Sequence, residues 1–188
     1  MKMAAMWFGV LAIAAATGCA DNQTAPPETL EKSRAAPVGV LPETRPLFTI
    51  ERSKNANVVH YDARLNSAGE LDSEEPVIAY YIMLAEDGRR KELNWIEKRL
   101  AYGFDIAPDP SAGGYKMTMV AVPESPISVK KVGSSVRAEL VIDGKPAVLE
   151  KMYIDATEGL TGPTVNYIKV YGKDLKTGKK LFEKVVRD

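Results

Sequence analysis

The feature that most constrains this chain is the succession of alternating apolar and polar residues along its second half, broken by turn signals. In residues 136–142, Val136, Ala138, Leu140 and Ile142 alternate with Arg137, Glu139 and Val141. That two-residue period is the signature of a strand with one buried face. Asp143-Gly144 follows as a tight hairpin signal and leads into a further apolar run over residues 147–156. Similar runs occupy residues 115–122, 127–132, 165–171 and 181–186. The first half adds residues 47–54, 57–65 and 76–86, the last of which, PVIAYYIMLAE, is apolar on both faces and reads as a central buried strand. About nine strands with short late connections predict a mainly β, antiparallel meander. So many strands must close or stack to hide their apolar face, so the expected domain is a single barrel or sandwich.

One segment predicts a helix. In RRKELNWIEKRLAYGF, residues 89–104, Leu93, Ile96, Leu100 and Phe104 recur at helical spacing beside a stripe of Trp95 and Tyr102. Asp87 is placed to cap its start and Gly103 to end it. An aromatic stripe of this kind packs a helix on a sheet or lines a pocket. Tyr80, Tyr81, Trp95 and Tyr102 are accordingly the candidate pocket lining, and Met83, Met117 and Met119 would line the same cavity.

RSKNANVVHYDARL, residues 52–65, holds the only histidine. Val59, Tyr61, Ala63 and Leu65 would face the core, with His60, Asp62 and Arg64 on the opposite face. Asn55-Ala56-Asn57 reads as the turn before them, which would bring Arg52 and Lys54 towards His60 and Asp62. Arg52, Lys54, Asn55, Asn57, His60, Asp62 and Arg64 thus form a candidate polar cluster, since imidazole, carboxylate and guanidinium can orient one another by hydrogen bonds. The plainer reading is a solvated strand face. Ser53, His60 and Asp62 are the nearest set to a catalytic triad, but their grouping depends on register.

Charge is balanced, Lys+Arg 25 against Asp+Glu 25, which gives no electrostatic case for nucleic-acid binding. One cysteine and one histidine cannot assemble a Cys/His zinc site or an internal disulfide. No metal or cofactor is expected. The acidic run Glu70, Asp72, Glu74 and Glu75 is read as a solvated connection. Nucleophile-elbow, phosphate-loop, dinucleotide and zinc-protease motifs are all missing, so catalysis has no motif to support it.

Residues 1–18 read as a secretory signal: Lys2 precedes an apolar run over residues 6–16 that is short for a bilayer span. Ala16-Thr17-Gly18-Cys19 resembles the bacterial lipobox, which implies lipidation of Cys19 and membrane attachment there. Processing would remove Lys2 and leave one more acid than base. Ala20 after the cysteine favours, by analogy with lipoprotein sorting, the outer membrane facing the periplasm. Residues 19–46 carry Pro26, Pro27, Pro37, Pro42 and Pro46 and read as a tether reaching roughly 30 Å as a coil. The globular domain is expected over residues 47–188.

RSKNANVVHYDARL, PVIAYYIMLAEDG and ELNWIEKRLAYGF resemble the core segments of domain-of-unknown-function family 4833. The resemblance runs from about Leu47 towards the C-terminus and implies a domain of secreted or envelope bacterial proteins. It implies no activity and no catalytic residues. The leading expectation is a lipid-anchored envelope protein whose β domain binds a small apolar ligand or lipid. The rivals are a hydrolase or transferase using the His60 cluster, and an interaction module working through sheet edges. Catalysis is the less favoured class, and oligomeric state is not legible.

Overall fold

The computed structural model describes residues 43–159 and 162–186. The stretches read as signal and lipidation site, with Cys19, and most of the stretch read as tether lie outside the described residues. Eleven strands follow in chain order: β1 Glu43–Arg52, β2 Asn55–Leu65, β3 Val77–Ile82, β4 Arg90–Glu92, β5 Phe104–Asp109 and β6 Gly114–Met119. They continue with β7 Val122–Val132, β8 Ser135–Ile142, β9 Lys145–Gly159, β10 Gly162–Asp174 and β11 Lys180–Val186. The nine runs read as strands are all strands. β4 and β5 are additional, and they fall in the stretch read as helix and loop.

The hydrogen-bonded order is β4-β3-β2-β1-β9-β8-β7-β6-β5, with β10 on β9 and β11 on β10. Strand β9 organises the sheet. Its residues 145–148 pair with β8 and its residues 151–154 with β1, while β10 runs along the opposite edge. One edge therefore serves two strands in succession, and the sheet curls into a nine-strand half-barrel whose end strands approach each other. Phe48, Tyr61, Met117, Ile127, Leu149 and Ile168, drawn from six strands, belong to one buried cluster. Each such side chain contributes about 1.5–3 kcal/mol by leaving water.

The pairing is antiparallel except where β1 meets β9, Thr49 opposite Lys151 through Arg52 opposite Ile154, which is parallel. β1 and β9 are far apart in the chain, so no short hairpin dictates their direction. Asp143 and Gly144 both take positive φ, 51° and 70°, as the expected hairpin requires. The first hairpin turns at Ser53-Lys54, two residues ahead of Asn55-Ala56-Asn57. Arg52 pairs with Asn55, Lys54 takes φ 59°, and Asn55 and Asn57 already belong to β2. β1 also starts at Glu43, four residues ahead of the expected domain boundary, and its pairing with β2 shifts register between Pro46 and Phe48. A bulge is where a strand can carry proline.

The long amphipathic helix is replaced by three short pieces. Arg90–Glu92 forms β4 on β3; Trp95–Glu97 makes one helical turn; Lys98–Tyr102 makes a π-helical turn. Asn94, not Asp87, is the cap: it accepts from the Glu97 amide at 2.9 Å, and Glu97 Oε2 accepts from the Asn94 amide at 2.7 Å. A Cβ on Gly103 would lie 1.6 Å from the Lys98 carbonyl oxygen, so only glycine lets the chain leave this turn for β5. Leu93 and Tyr102 are buried, whereas Trp95 is 71% exposed and Ile96 46%. The helical spacing thus mixes residues of three elements. Among the described residues no helix is long and apolar enough to cross a membrane.

Candidate functional site

Strand β3 is covered by β4 only from Tyr80 to Ile82, which leaves its Val77–Ala79 edge open. The Arg64 amide donates to the Pro76 carbonyl on the β2 side, and the Met83 amide donates to the Arg89 carbonyl on the β4 side. By strand alternation, the backbone groups of Val77 and Ala79 then point to the open edge. Beyond that edge lies β5, the far end of the curled sheet. The seam between them holds a cavity of about 740 Å³. Ligand sites commonly occupy about 300–1,000 Å³.

The seam is apolar below and charged around its rim. Val77, Ala79, Leu93, Tyr102, Phe104 and Val120 supply the apolar wall. Arg64, Arg90, Lys98 and Arg99 face Glu75, Glu92 and Asp105 around it. Arg64 pairs with Glu75, and its Nε lies 4.0 Å from Asp72. That Nε is buried without a hydrogen-bond partner among the described residues, the kind of donor that an added acceptor would satisfy.

Tyr61 fixes the back of the seam. Its ring stacks on Phe48 at 4.5 Å and meets Phe104 edge-on at 6.0 Å. Its hydroxyl donates to the Tyr102 carbonyl at 2.7 Å, tying β2 to the π-helical turn. Burial, followed by the neighbouring Tyr102 and Tyr81 hydroxyls, raises the Tyr61 pKa well above that of an ordinary phenol. Tyr81 meets Tyr102 edge-on at 5.7 Å, and its pKa is raised mainly by burial, with Arg52 acting against the shift.

On the outer face, His60 stacks on Tyr80 at 5.6 Å and the Arg90 guanidinium lies 3.7 Å from the same ring's centroid. The Tyr80 hydroxyl donates to Asp62 at 2.7 Å. Asp62 is 5% exposed, although alternation points it away from the core. Burial, then the bond to Asp62, pushes the Tyr80 pKa up to about 12, with Arg90 opposing. Arg90 belongs both to this stack and to the seam.

The polar cluster is therefore divided. His60 and Asp62 meet through Tyr80, a residue assigned to the pocket lining, and Arg64 turns to the seam. The register sets Thr49 opposite His60, Pro46 opposite Asp62 and Arg52 opposite Asn55, and Lys54 falls in the turn between β1 and β2. Asn55 accepts from the Asn57 amide at 3.0 Å, and Asn57 accepts from the Ala85 amide at 3.5 Å. The Ser53 hydroxyl donates to the Ala156 carbonyl and accepts from its amide, both at 3.0 Å, so it staples β1 to β9. The triad grouping is not assembled. Among the proposed lining residues, Tyr102 faces the seam, Tyr81 packs behind it, and Trp95 stands in solvent.

Glu70 pairs with Lys131 at 2.6 Å, and Asp72 accepts from the Glu74 and Glu75 amides at 2.9 and 3.0 Å. Among the described residues no group of acids, histidines or cysteines has the spacing to hold a metal ion. Arg90, Lys98 and Arg99 are not among the residues that the sequence singles out; helical spacing puts Lys98 and Arg99 on the wet side. Their one legible signal is the density of basic residues over positions 90–99, just ahead of Tyr102 and Gly103.

These features define a class: a curled β domain with a partly charged cleft where its sheet fails to close. The chain belongs to the family described as a domain of unknown function, DUF4833, whose profile matches residues 48–184. Searches of curated proteins and of solved structures each returned no significant match.

Proposed function

We propose that this is a bacterial envelope protein, held to the outer membrane by a lipid on Cys19, whose β domain binds a small amphipathic anion in the seam. The carrying observation is the cavity's make-up: an apolar wall, a rim where four cations outnumber three carboxylates, and the Arg64 Nε–H that has no hydrogen-bond partner among the described residues. An acyl chain or ring would lie against Val77, Ala79 and Phe104, and an oxyanion would take Arg64, with Lys98 and Arg99 nearby. In this reading the half-barrel works as an incompletely closed barrel with the seam as its mouth, and the helical turns form one lip. No bond is made or broken, so the role is carriage or sensing.

Titration with a fluorescent carboxylate bearing an alkyl chain tests this. Arg64→Gln should weaken binding about tenfold, the worth of one charged hydrogen bond. Ala79→Trp should abolish binding by filling the cavity while the far-UV spectrum is kept. Unchanged affinity in both variants would sink the reading. The rival, a hydrolase or transferase centred on His60, draws on the His60–Tyr80–Asp62 contacts. It would be favoured by a turnover that His60→Ala removes without unfolding the chain.

A further inference from the structure

The outer face of β9, β10 and β11 is chemically unlike the rest of this charge-neutral chain. The β10–β11 hairpin carries Lys169, Lys173, Lys176, Lys179, Lys180 and Lys184 against Asp174 and Glu183. β9 adds Glu150, which pairs with Lys173 at 2.5 Å, and Asp155, opposite Tyr167; the six hairpin lysines still outnumber these four acids. Glu183 accepts from the Asp143 amide at 2.8 Å, and Asp174 accepts from the Lys176 and Thr177 amides at 2.8 and 2.7 Å. On the outer face the register sets Lys184 opposite Lys169, and Lys169 opposite Tyr153. These two lysines rest on rings: Lys184 lies 4.2 Å from the Tyr167 centroid, and Lys169 lies 5.4 and 5.7 Å from those of Tyr167 and Tyr153. Edge strand β11 adds Phe182, half exposed and 5.2 Å from Tyr171, and Val186, 62% exposed.

We propose that this face docks on an anionic lipid surface. Lysines stacked along rings keep their stems on apolar surface and their ammonium groups outward, which suits the headgroup layer of a bilayer. Anionic headgroups attract such a lysine cluster within a Debye length. Tyrosine and phenylalanine rings sit well at that depth. Phe182 and Val186 favour lipid over a polyanionic glycan, because a sugar chain offers Val186 no apolar partner. The face shares no residue with the seam lining, so the inference stands whether or not the seam binds a ligand. Docking here would lay the domain against a membrane where a lipid anchor alone would let it swing.

Hydrogen–deuterium exchange of the full chain, with phosphatidylglycerol/phosphatidylcholine vesicles and with pure phosphatidylcholine vesicles, tests this. The β11 amides should exchange severalfold more slowly with the anionic vesicles only, and high salt should remove the effect. The double variant Lys169→Glu/Lys184→Glu should lose it, and Phe182→Ser should reduce it with every charge kept. Equal exchange with both vesicles would overturn the proposal. So would the same protection by dextran sulfate without lipid, which would make the partner a polyanionic chain.

Discussion

Tyr61 ties β2 to the β5 end of the curled sheet, meeting Phe104 edge-on and donating to the Tyr102 carbonyl. Removing its hydroxyl leaves the buried Tyr102 carbonyl without its donor, so Tyr61→Phe should cost about 1–3 kcal/mol in urea unfolding. Tyr80 links residue chemistry to pH. A phenol whose pKa is higher folded than unfolded stabilises the fold fully below its unfolded value of ~10, and that contribution fades as pH rises towards 12. Tyrosinate absorbance should therefore show Tyr61, Tyr80 and Tyr81 ionising above the ordinary phenol range, and Tyr80→Phe should flatten the stability loss above pH ~10. At this scale the sequence was readable wherever alternation decides. Val59, Tyr61, Ala63 and Leu65 are all buried as their period requires. Asp62 was not readable, because its burial comes from neighbouring strands whose register lies outside its own segment.

Between residues 89 and 109 the elements differ most from expectation. Leu93, Ile96, Leu100 and Phe104 match a helical period, yet the open edge of β3 recruits Arg90–Glu92 and the capping box starts a helical turn only at Trp95. With Trp95 71% exposed, Trp95→Ala should change stability by no more than about 0.5 kcal/mol, against several for a packed tryptophan. Gly172 makes the opposite case. A Cβ there would sit 2.3 Å from the Val148 carbonyl oxygen and 2.7 Å from Ile142 Cδ1, so Gly172→Ala should lower the melting temperature clearly. The Asp143-Gly144 hairpin was legible because its two positive φ values are a local demand. Gly172 was not, because the backbone that crowds it comes from a neighbouring strand.

Across the whole molecule, β class and nine of the eleven described strands follow from local patterning, whereas β4, β5 and the sheet order do not. The β1–β9 pairing joins distant segments and gives one strand edge two successive partners, a choice made by packing of the shared core. The seam inherits that illegibility, since β3 and β5 face each other only once the sheet has curled. At this scale the lipobox reading makes its own prediction: Cys19→Ser should abolish incorporation of labelled fatty acid, and a labelled product in that variant would contradict it. The central claim, that the seam holds an amphipathic anion, is tested most directly by native mass spectrometry of the purified chain followed by denaturing extraction. The account predicts a stoichiometric small molecule with an acidic group and an apolar body, released on unfolding and lost in Ala79→Trp. A bare mass from several expression hosts, or a ligand that Ala79→Trp retains, would contradict it.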